Sequence, residues 1–349
     1  MHKRPQVKGG NAQEGQQQQG CCIAVGLMLL CTKGKLQLRR GSAAECRSPG
    51  KSTASPPIAG LAEVQRLMYV SFRRVWRRAG EARMKPVDFA QFVEELAAVS
   101  GDAILPFFRT SIGADDKSRG GVFDPVTEAD RAAEAAMRRM INAAFPDHGI
   151  IGEEFGDQRE DAEWVWVLDP IDGTKSFISG MPVWGTLIGL QHGGRPCYGV
   201  MNQPFTRERF SGDGASATWR GIGLKDKPVE RRLHVRPCAS LAEATLMTTH
   251  PALLSPGTLE PFHRVEKDVR LSRYGGDCYA YCMLAAGHVD LVIESGLKPF
   301  DIVALVPIVE GAGGVITSWD GGSPAKGGSI IAAGDKRAHA QALELLARG

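Results

Sequence analysis

Acidic residues that follow apolar segments are the candidates for chemistry in this sequence. Glu153 and Glu154 come directly after a strand-like run, and Asp301 lies in the first turn of a predicted helix. Asp169 and Asp172 stand where another strand-like run meets Pro and Gly. Carboxylates gathered at one place cannot all stay ionised without positive charge among them. Hard oxygen ligands of this kind suit Mg²⁺, which also shares phosphate oxygens with a substrate, so the pattern predicts a magnesium site for a phosphorylated ligand.

The turn between Asp169 and Thr174 carries the densest set of these groups. Asp169 and Asp172 flank the turn, so both can face one site, and the Ile171 carbonyl lies between them as a further oxygen ligand. Gly173 lets the backbone approach a ligand closely, and the N–H groups at the start of a short helix at Thr174 would cradle a phosphate. Two cations at such a place can clamp the attacking water and the leaving oxygen of an in-line displacement.

Each of these residues also has an ordinary structural interpretation. Asp-Pro and Asp-Gly pairs are common in turns. Asp130 can be the third residue of a helix cap, and Asp301 can complement a helix dipole. Taken one at a time, the residues do not distinguish a site from ordinary structure, but their joint occurrence in one pattern favours a site.

The elements that must position these residues alternate between helices and strands. An apolar period predicts a helix over 87–109, and the capping pattern at Thr127–Asp130 begins a second helix that ends before Pro146. Apolar runs predict strands over 149–152, 164–168, 184–190, 198–201, 246–249, 289–293, 315–317 and 329–333, and helices over 277–286, 300–310 and 336–346. Interleaving over this length predicts a layered α/β or α+β protein with two sub-domains.

Composition separates a leader, residues 1–83, from the rest of the chain. The leader has 15 Lys/Arg against 4 Asp/Glu, whereas the remainder has 27 against 35. Gln16–Gln19 and scattered Ser, Pro and Arg predict a poorly ordered leader. We expect an α+β sub-domain over 84–230 that holds most of the candidate ligands, and an α/β sub-domain over 231–349 that carries Asp301.

The role of the leader stays open between three interpretations. Its apolar run Cys21–Cys31 is too short to span a bilayer and is followed by no clear signal-peptide cleavage site. An acid-poor, Arg-rich segment also resembles an organellar transit peptide. A start assigned too far upstream is the third interpretation, because globular patterning begins at Met84. We favour a misassigned start or a leader that is dispensable for activity.

Partners and location follow from weaker signals. A basic cluster in the leader can attract nucleic acid or an anionic membrane, but a solvated leader is favoured and no nucleic-acid motif accompanies it; the cluster is Arg73, Arg74, Arg77 and Arg78. The later cysteines lack close-paired metal spacing and are predicted to be small buried side chains. We therefore predict no nucleic-acid or membrane partner and a cytoplasmic location, with a plastid or other organelle as the alternative if the leader is a genuine transit peptide.

Four sequence blocks occur in a fixed order over roughly residues 87–347. They are Asp124-Pro125-Val126-Thr127-Glu128-Ala129-Asp130, Gly152-Glu153-Glu154, Trp166–Thr174, and Asp301 followed by Gly311–Gly314. Together they resemble the inositol monophosphatase superfamily of Mg²⁺-dependent, lithium-sensitive phosphatases. The resemblance implies a layered αβαβα sandwich, a homodimer, and a small phosphate ester as substrate.

The resemblance also implies a role for each matching residue. Two or three Mg²⁺ ions, with Mn²⁺ as a substitute, would be held by Glu153, Asp169, the Ile171 carbonyl, Asp172 and Asp301. Asp130 and Thr174 would orient and deprotonate the attacking water, with Glu153 assisting through its metal. The backbone N–H groups of Gly173 and Thr174 would hold the phosphate, and water would attack phosphorus directly without a covalent enzyme intermediate.

The substrate is a narrower inference from two further segments. Tyr274–Tyr281 and Lys298–Pro307 resemble the histidinol-phosphate phosphatases of histidine biosynthesis, whereas inositol-specific members typically carry Cys-Trp before the Asp301 position. Asp277 is a suitable partner for a substrate ammonium or imidazolium, because charge-assisted hydrogen bonds are strong. Its alternative role is to cap the helix that follows Gly275-Gly276.

Two other interpretations of function stay open. A myo-inositol monophosphatase, or a related nucleotide or sugar phosphatase, would use the same metal site. A non-catalytic protein that binds inositol phosphates or nucleic acid through its basic leader is an alternative of another class. The complete ligand set argues against that alternative, because a decayed enzyme is expected to lose at least one ligand.

Overall fold

The computed structural model of the chain describes residues 29–32, 35–38, 86–110, 114–116 and 125–348. The chain divides into two compact units, Met1–Glu81 and Ala82–Gly349. In the first unit, β1 (Leu29–Thr32) and β2 (Lys35–Leu38) form an antiparallel hairpin. The rest of the leader, with its arginine cluster, and Met84 lie outside the described residues. The predictions made for them therefore stay predictions.

The first half of the second unit is built around a seven-stranded sheet. Its elements are α1 (Pro86–Ile104), β3 (Ala114–Asp116), β4 (Pro125–Thr127), α2 (Glu128–Ala144), β5 (Gly149–Gly152), β6 (Trp164–Asp172), α3 (Thr174–Ile178), β7 (Gly185–His192), β8 (Arg195–Gln203), β9 (Glu208–Gly212), β10 (Ala217–Ile222) and β11 (Pro228–Arg232). The strand order is β11-β10-β9-β8-β7-β6-β5, and β3 pairs only with β4 among the described strands. Only β5 and β6 are parallel, and the other neighbours in this sheet are antiparallel.

The second half is built around a five-stranded sheet. Its elements are β12 (Thr245–Thr248), α4 (Pro256–Asp268), β13 (Leu271–Tyr274), α5 (Cys278–Ala285), β14 (Leu291–Leu297), α6 (Pro299–Ile302), α7 (Leu305–Gly311), β15 (Val315–Ser318), β16 (Gly328–Ala333) and α8 (Lys336–Ala347). The strand order is β13-β12-β14-β16-β15, with β12 parallel to both neighbours. The predicted boundary between residues 230 and 231 falls inside β11 of the large sheet, and the division into two sub-domains stays a prediction.

The helices and the two sheets form five layers. Helices α1 and α2 contact one face of the large sheet, and α7 contacts the large sheet as well. Met201 packs in the core with α5 and α7, whereas Asn202 Nδ2 donates to the Ala97 carbonyl of α1 at 3.0 Å. Because adjacent strand residues point to opposite faces, α1 and α7 lie on opposite sides of this sheet. Helices α4 and α8 form a second core with β12, β14 and β16, which completes the predicted layered αβαβα arrangement.

The burial pattern explains why these segments form these elements. In α2 the buried side chains recur at helical spacing and include Ala129, Ala133, Met137, Met140 and Ile141. Strand β6 is buried from Val165 through Ile171, since it lies inside the sheet between β5 and β7. A strand covered on both faces reads as a continuous apolar run rather than an alternating one.

Two predicted helices end differently in the structure. The first was expected to continue to residue 109, but α1 ends at Ile104 and a 3₁₀ turn follows over Leu105–Phe107, where Pro106 has no N–H to continue the helix. The helix predicted over 300–310 is two helices, α6 and α7. Among the described residues, none of the helices has both the length and the apolar character needed to cross a bilayer.

Candidate functional site

The end of β6 shapes the turn that carries Asp169 and Asp172. The register between β6 and β7 shifts between these residues, because Asp169 is opposite Leu187 whereas Asp172 is opposite Gly185. Thr186 Oγ1 donates to the Pro170 carbonyl at 2.8 Å and holds the irregular segment. A bulge of this kind re-aims side chains at the end of a strand. The chain then enters α3 through Gly173, whose φ of 88° is in the left-handed region that favours glycine.

Three of the predicted ligands form one cluster. Asp169, Asp172 and Asp301 each place a carboxylate oxygen within 4.8 Å of the others. Asp172 Oδ2 accepts the backbone N–H of Cys278 at 2.6 Å, and Asp301 Oδ2 accepts that of Lys298 at 2.6 Å. The turn after β6, the start of α5 and the start of α6 therefore converge on a single group of oxygens.

Burial raises the pKa of all three carboxyl groups, and repulsion from neighbouring carboxylates adds to it for Asp169 and Asp172. Burial is the main cause for Asp169, whose pKa is well above its usual range, and the charges of Glu153 and Asp172 add to it. The pKa of Asp172 is raised by burial and then by the charge of Asp277. Burial raises the pKa of Asp301 to about 6, although the N–H and the charge of Lys298 oppose this shift.

The cluster has the properties of a cation site. Within the described part of the chain, none of these three aspartates forms an ion pair with Lys or Arg. Oδ1 of Asp169 is buried and receives no hydrogen bond from any described residue. Buried charges are normally paired or bound to a metal. Hard oxygens held this close together therefore fit a divalent cation such as Mg²⁺.

Two further predicted residues lie near this cluster. Glu153 follows β5, and Asp130 is a buried residue in the first turn of α2. Both carboxylates contribute to the raised pKa of Asp169, which places them within electrostatic reach of it. Glu154, the neighbouring candidate, pairs instead with Arg131 Nε at 3.5 Å.

Thr174 and the Ile171 carbonyl are in direct contact. Thr174 Oγ1 donates to the Ile171 carbonyl oxygen at 3.1 Å, and the Ile171 side chain is buried in the core. This hydrogen bond fixes the hydroxyl at the start of α3, one residue beyond Gly173. The predicted roles of the Ile171 oxygen in cation binding and of the Gly173 and Thr174 N–H groups in phosphate binding stay predictions.

Asp277 adopts an unusual backbone conformation next to the same turn. Its φ of 43° and ψ of −137° are rare for a residue with a side chain. Although it precedes α5, its side chain makes no capping hydrogen bond, and Oδ2 accepts instead from Ser176 Oγ at 3.2 Å. A Cβ placed on Gly173 would lie 3.2 Å from Asp277 Oδ2, so the glycine leaves little space between the two segments. Strain of this kind is often found at functional sites.

A cavity of about 340 Å³ opens beside the three aspartates. Its lining includes Asp172, Thr248, Thr249, His250, Leu253, Leu254, Asp277, Glu294, Ser295 and Asp301. Its polar walls come from the ends of β12 and β14 and from the start of α5 and α6. The cavity is large enough for a small ligand and brings Asp277 and the cation cluster to one space.

Glu294 is a buried cavity residue that the sequence analysis did not identify. It accepts hydrogen bonds from Tyr281 Oη at 3.0 Å and from the Thr249 N–H at 2.9 Å, and the Thr249 hydroxyl also donates to it. Burial raises its pKa to about 7 against the lowering effect of these donors. The available signal was an acidic residue at the end of the apolar run 291–293, seven positions before Asp301.

Comparisons with known proteins agree with this geometry. A sequence model of the inositol monophosphatase family matches residues 85–348. A chloroplastic bifunctional phosphatase of Arabidopsis thaliana is 45% identical over 270 residues, which cover 74% of this chain and 75% of that protein. A histidinol-phosphatase of Chlorobaculum parvum is 36% identical over 233 residues, which cover 66% of this chain and 86% of that protein.

A solved structure extends the agreement to the fold. An inositol monophosphatase from Zymomonas mobilis superposes with a TM-score of 0.66 at 41% identity, covering 76% of this chain and 99% of that one. These findings confirm the predicted resemblance, the predicted fold and the prediction of a metal-dependent phosphatase. The chain belongs to the inositol monophosphatase family.

Proposed function

We propose that this protein is a Mg²⁺-dependent phosphate monoester hydrolase that converts histidinol phosphate to histidinol and phosphate in histidine biosynthesis. The observation that carries the proposal is the cavity in which Asp277 and Glu294 lie beside the cluster of Asp169, Asp172 and Asp301. Histidinol phosphate has a phosphate for the cation side and an amine and an imidazole for the carboxylate side. Relatives named histidinol-phosphatase support this choice of substrate.

The cation side would be formed by residues from both halves of the unit. Glu153, Asp169, the Ile171 carbonyl, Asp172 and Asp301 would hold two or three Mg²⁺ ions, which Mn²⁺ can replace. When bound, these ions would supply Lewis-acid stabilisation of the charge on the phosphoryl group. A bound cation would favour the ionised form of Asp301, whose pKa burial otherwise raises to about 6.

The reaction itself would be a direct in-line displacement. Asp130 and Thr174 would orient the attacking water and remove its proton, with Glu153 assisting. The water oxygen bonds to phosphorus as the ester bond to the alcohol oxygen breaks, and the leaving alkoxide takes up a proton from solvent. The contact of Thr174 Oγ1 with the Ile171 carbonyl supports this assignment, because it fixes the hydroxyl at the turn. The N–H groups of Gly173 and Thr174 would hold the phosphate oxygens.

The carboxylate side would select the substrate. Asp277 would accept a charge-assisted hydrogen bond from the substrate amine, and Glu294 would bind its imidazole. The hydroxyl and amide donors around Glu294 keep that carboxylate in one position. A neutral polyol phosphate offers no cation to these groups, so its binding would leave buried carboxylates without a charged partner.

The test is phosphate release by the full chain with Mg²⁺, comparing histidinol phosphate with myo-inositol 1-phosphate at matched concentrations. We expect a preference of at least about a hundredfold in kcat/KM for histidinol phosphate, equivalent to about 2.7 kcal/mol. Comparable or reversed rates would overturn the substrate assignment. Absence of release from either ester would overturn the hydrolase and favour a non-catalytic binding protein.

A myo-inositol monophosphatase is the second candidate function. The inositol monophosphatase from Zymomonas mobilis superposes on this chain over 99% of its own length, which supports this candidate. Related nucleotide and sugar phosphatases would share the cation side and differ in the cavity walls. A rate that favours myo-inositol 1-phosphate in the same assay would establish this candidate.

We also propose that the protein acts as a homodimer and that the leader directs it to a plastid. The acid-poor, Arg-rich composition of residues 1–83 and the chloroplastic relative support the second proposal over a cytoplasmic location. Light scattering gives the mass in solution, where a monomeric mass would contradict the dimer. Residues 1–83 fused to a fluorescent protein should enter plastids in plant cells, and a diffuse cytoplasmic signal would contradict the targeting role.

A further inference from the structure

A buried ion pair in α2 lies next to the loop that carries Glu153 and is not used in the proposed reaction. The Glu134 side chain is fully buried, and Arg138 Nε donates to its Oε1 at 2.7 Å. The Arg138 side chain is itself only 12% exposed. A buried carboxylate with a guanidinium partner normally needs further hydrogen bonds to offset its loss of water.

Those further hydrogen bonds come from the backbone of the loop 153–156. Glu134 Oε2 accepts the N–H of Glu154 at 2.8 Å, and Oε1 accepts the N–H of Phe155 at 3.2 Å. Arg138 Nη2 donates to the Gly156 carbonyl. The pair therefore binds this loop at three consecutive residues beyond Glu153.

The other side of Glu153 is held by the sheet. Its own N–H donates to the Leu168 carbonyl of β6 at 3.3 Å, one residue before Asp169. The peptide groups before and after the Glu153 Cα are thus both fixed, the first by β6 and the second by Glu134. Fixing both peptides restricts the direction in which the Glu153 side chain leaves the backbone.

The approach of Glu134 to the loop depends on Gly152. A Cβ placed on Gly152 would lie 2.2 Å from Glu134 Oε1 and 2.7 Å from Arg138 Nη2. Any side chain at this position would push the ion pair away from the loop. The glycine of the Gly152-Glu153-Glu154 block is therefore required by a contact with α2 rather than by a turn.

We infer that Glu134, supported by Arg138, is a positioning residue that aims Glu153 at Asp169 and so sets the cation affinity of the site. The inference rests on the proposed cation site, and Glu134 acts only through the loop. Residues that orient a metal ligand typically change metal affinity about 10- to 100-fold when they are replaced.

The test is Mg²⁺ binding to the full chain by calorimetry, with the Mg²⁺ dependence of phosphate release as a second measurement. Glu134→Gln keeps the shape of the side chain but replaces one carboxylate oxygen by an amide NH₂ group. That group cannot accept a hydrogen bond from Arg138 or from the N–H groups of the loop. We expect its Mg²⁺ affinity to fall at least about tenfold, with kcat restored at high Mg²⁺ and KM for the ester unchanged there.

Asp290→Asn is the matched control. Asp290 is also a buried carboxylate, accepts from Arg236 Nε at 2.7 Å and from the Thr245 N–H at 2.7 Å, and lies at the opposite end of β14 from the cavity. Its replacement should lower stability and leave Mg²⁺ affinity unchanged. Arg138→Lys provides a second variant, because it keeps the charge and loses the two-pronged contact, and it should weaken Mg²⁺ binding to a smaller extent.

The outcomes separate the inference from the proposed function. Wild-type affinity in a folded Glu134→Gln protein would overturn the positioning role, as would an equal loss in Asp290→Asn. If Glu134→Gln does not fold, wild-type affinity in Arg138→Lys would overturn it. A wild-type protein that binds no Mg²⁺ would refute the proposed cation site and the positioning role with it.

Discussion

Buried carboxylates occur in two settings in this protein, and the difference between them identifies the site. Glu134 and Asp290 each have an arginine partner and accept backbone N–H groups, so their charges are balanced by the fold. Asp169, Asp172 and Asp301 lie within 4.8 Å of one another, and no described Lys or Arg forms an ion pair with them. In the first setting the fold itself supplies the partner of each charge, and in the second the charge is left for a ligand to balance.

The two settings have opposite consequences for stability. Removing one member of a buried ion pair leaves the other charge uncompensated, which is strongly destabilising. A group of carboxylates without a cation already carries repulsion and lost hydration in the folded state, as the raised pKa of Asp169 shows. Binding of a cation to the folded state alone would reverse this penalty. In the proposed account, the cluster lowers the stability of the cation-free fold and gains affinity for a cation in return.

The largest effect that would sharpen this comparison is on activity. Replacing Asp172 by Asn removes a charge that the proposed reaction needs, and we expect kcat/KM for histidinol phosphate to fall on the order of 10³-fold. Steady-state phosphate release with Mg²⁺ measures the change, with Asp290→Asn as a variant outside the site. Full activity in Asp172→Asn would refute the assignment of this residue as a ligand.

The next effect contrasts the two settings directly. Asp290→Asn breaks the pair with Arg236, whose side chain is 37% exposed, and should lower the free energy of unfolding by about 1.5–3 kcal/mol. Asp169→Asn should raise it in the presence of EDTA, because burial and neighbouring charges already disfavour the ionised carboxylate. Urea unfolding of both variants measures these changes. A change of the same sign in the free energy of unfolding of both variants would contradict the difference between the two settings.

A pH-dependent effect is expected from Glu294. Burial raises its pKa from 4.5 to about 7, so the folded protein holds this proton more tightly than the unfolded chain does. The resulting gain in the free energy of unfolding is fully present below pH 4.5 and is lost as the pH rises through 7. This corresponds to about 3 kcal/mol over that range. In Glu294→Gln the free energy of unfolding, measured by urea at several pH values, should fall less between pH 4.5 and 7.

Asp335→Asn is the control of opposite sign. The pKa of Asp335 is lowered, first by its hydrogen bond with the Arg337 side chain, so its contribution is present above its usual pKa and is lost as the pH falls. Its replacement should reduce the loss of stability in acid and leave the range from 4.5 to 7 unchanged. An unaltered pH profile in Glu294→Gln would contradict a pKa of about 7 for the buried Glu294 carboxyl group.

The smallest effect concerns substrate selection. Asp277→Asn keeps the size of the side chain but loses its charge, so kcat/KM for histidinol phosphate should fall about 10- to 100-fold. The rate with myo-inositol 1-phosphate should change little, because that ester has no cation to pair with Asp277. Equal losses with both esters would indicate a structural role for Asp277 next to Gly173.

The sequence predicted the parts of the fold that have continuous apolar runs. Strand β6 was expected from Trp164–Leu168, and the structure extends it to Asp172. Strands β9, β10 and β11 were missed because charged residues interrupt their apolar pattern, as Arg209, Arg220 and Glu230 do, and β11 also lies at the edge of the sheet. Helix α4 was missed because Pro256 and Pro261 interrupt its apolar period.

The site was predictable where it coincides with local motifs. Asp169, Asp172 and Asp301 were identified from their turns, and the structure brings them together from separate segments. Glu294 was missed because an acidic residue in an apolar strand has no local pattern, and its importance comes from Thr249 and Tyr281, which lie far away in sequence or on another element. The spacing of residues along the sequence does not predict long-range contacts of this kind.

The central claim is that the three aspartates form a cation site whose charge destabilises the cation-free fold. The most direct measurement is the free energy of unfolding with Mg²⁺ and with EDTA, for the wild-type protein, Asp290→Asn and Asp169→Asn. Mg²⁺ at about 100 times its Kd should stabilise the first two by about 2.7 kcal/mol and Asp169→Asn by much less. Equal stabilisation of all three proteins, or none in the wild type, would contradict the claim.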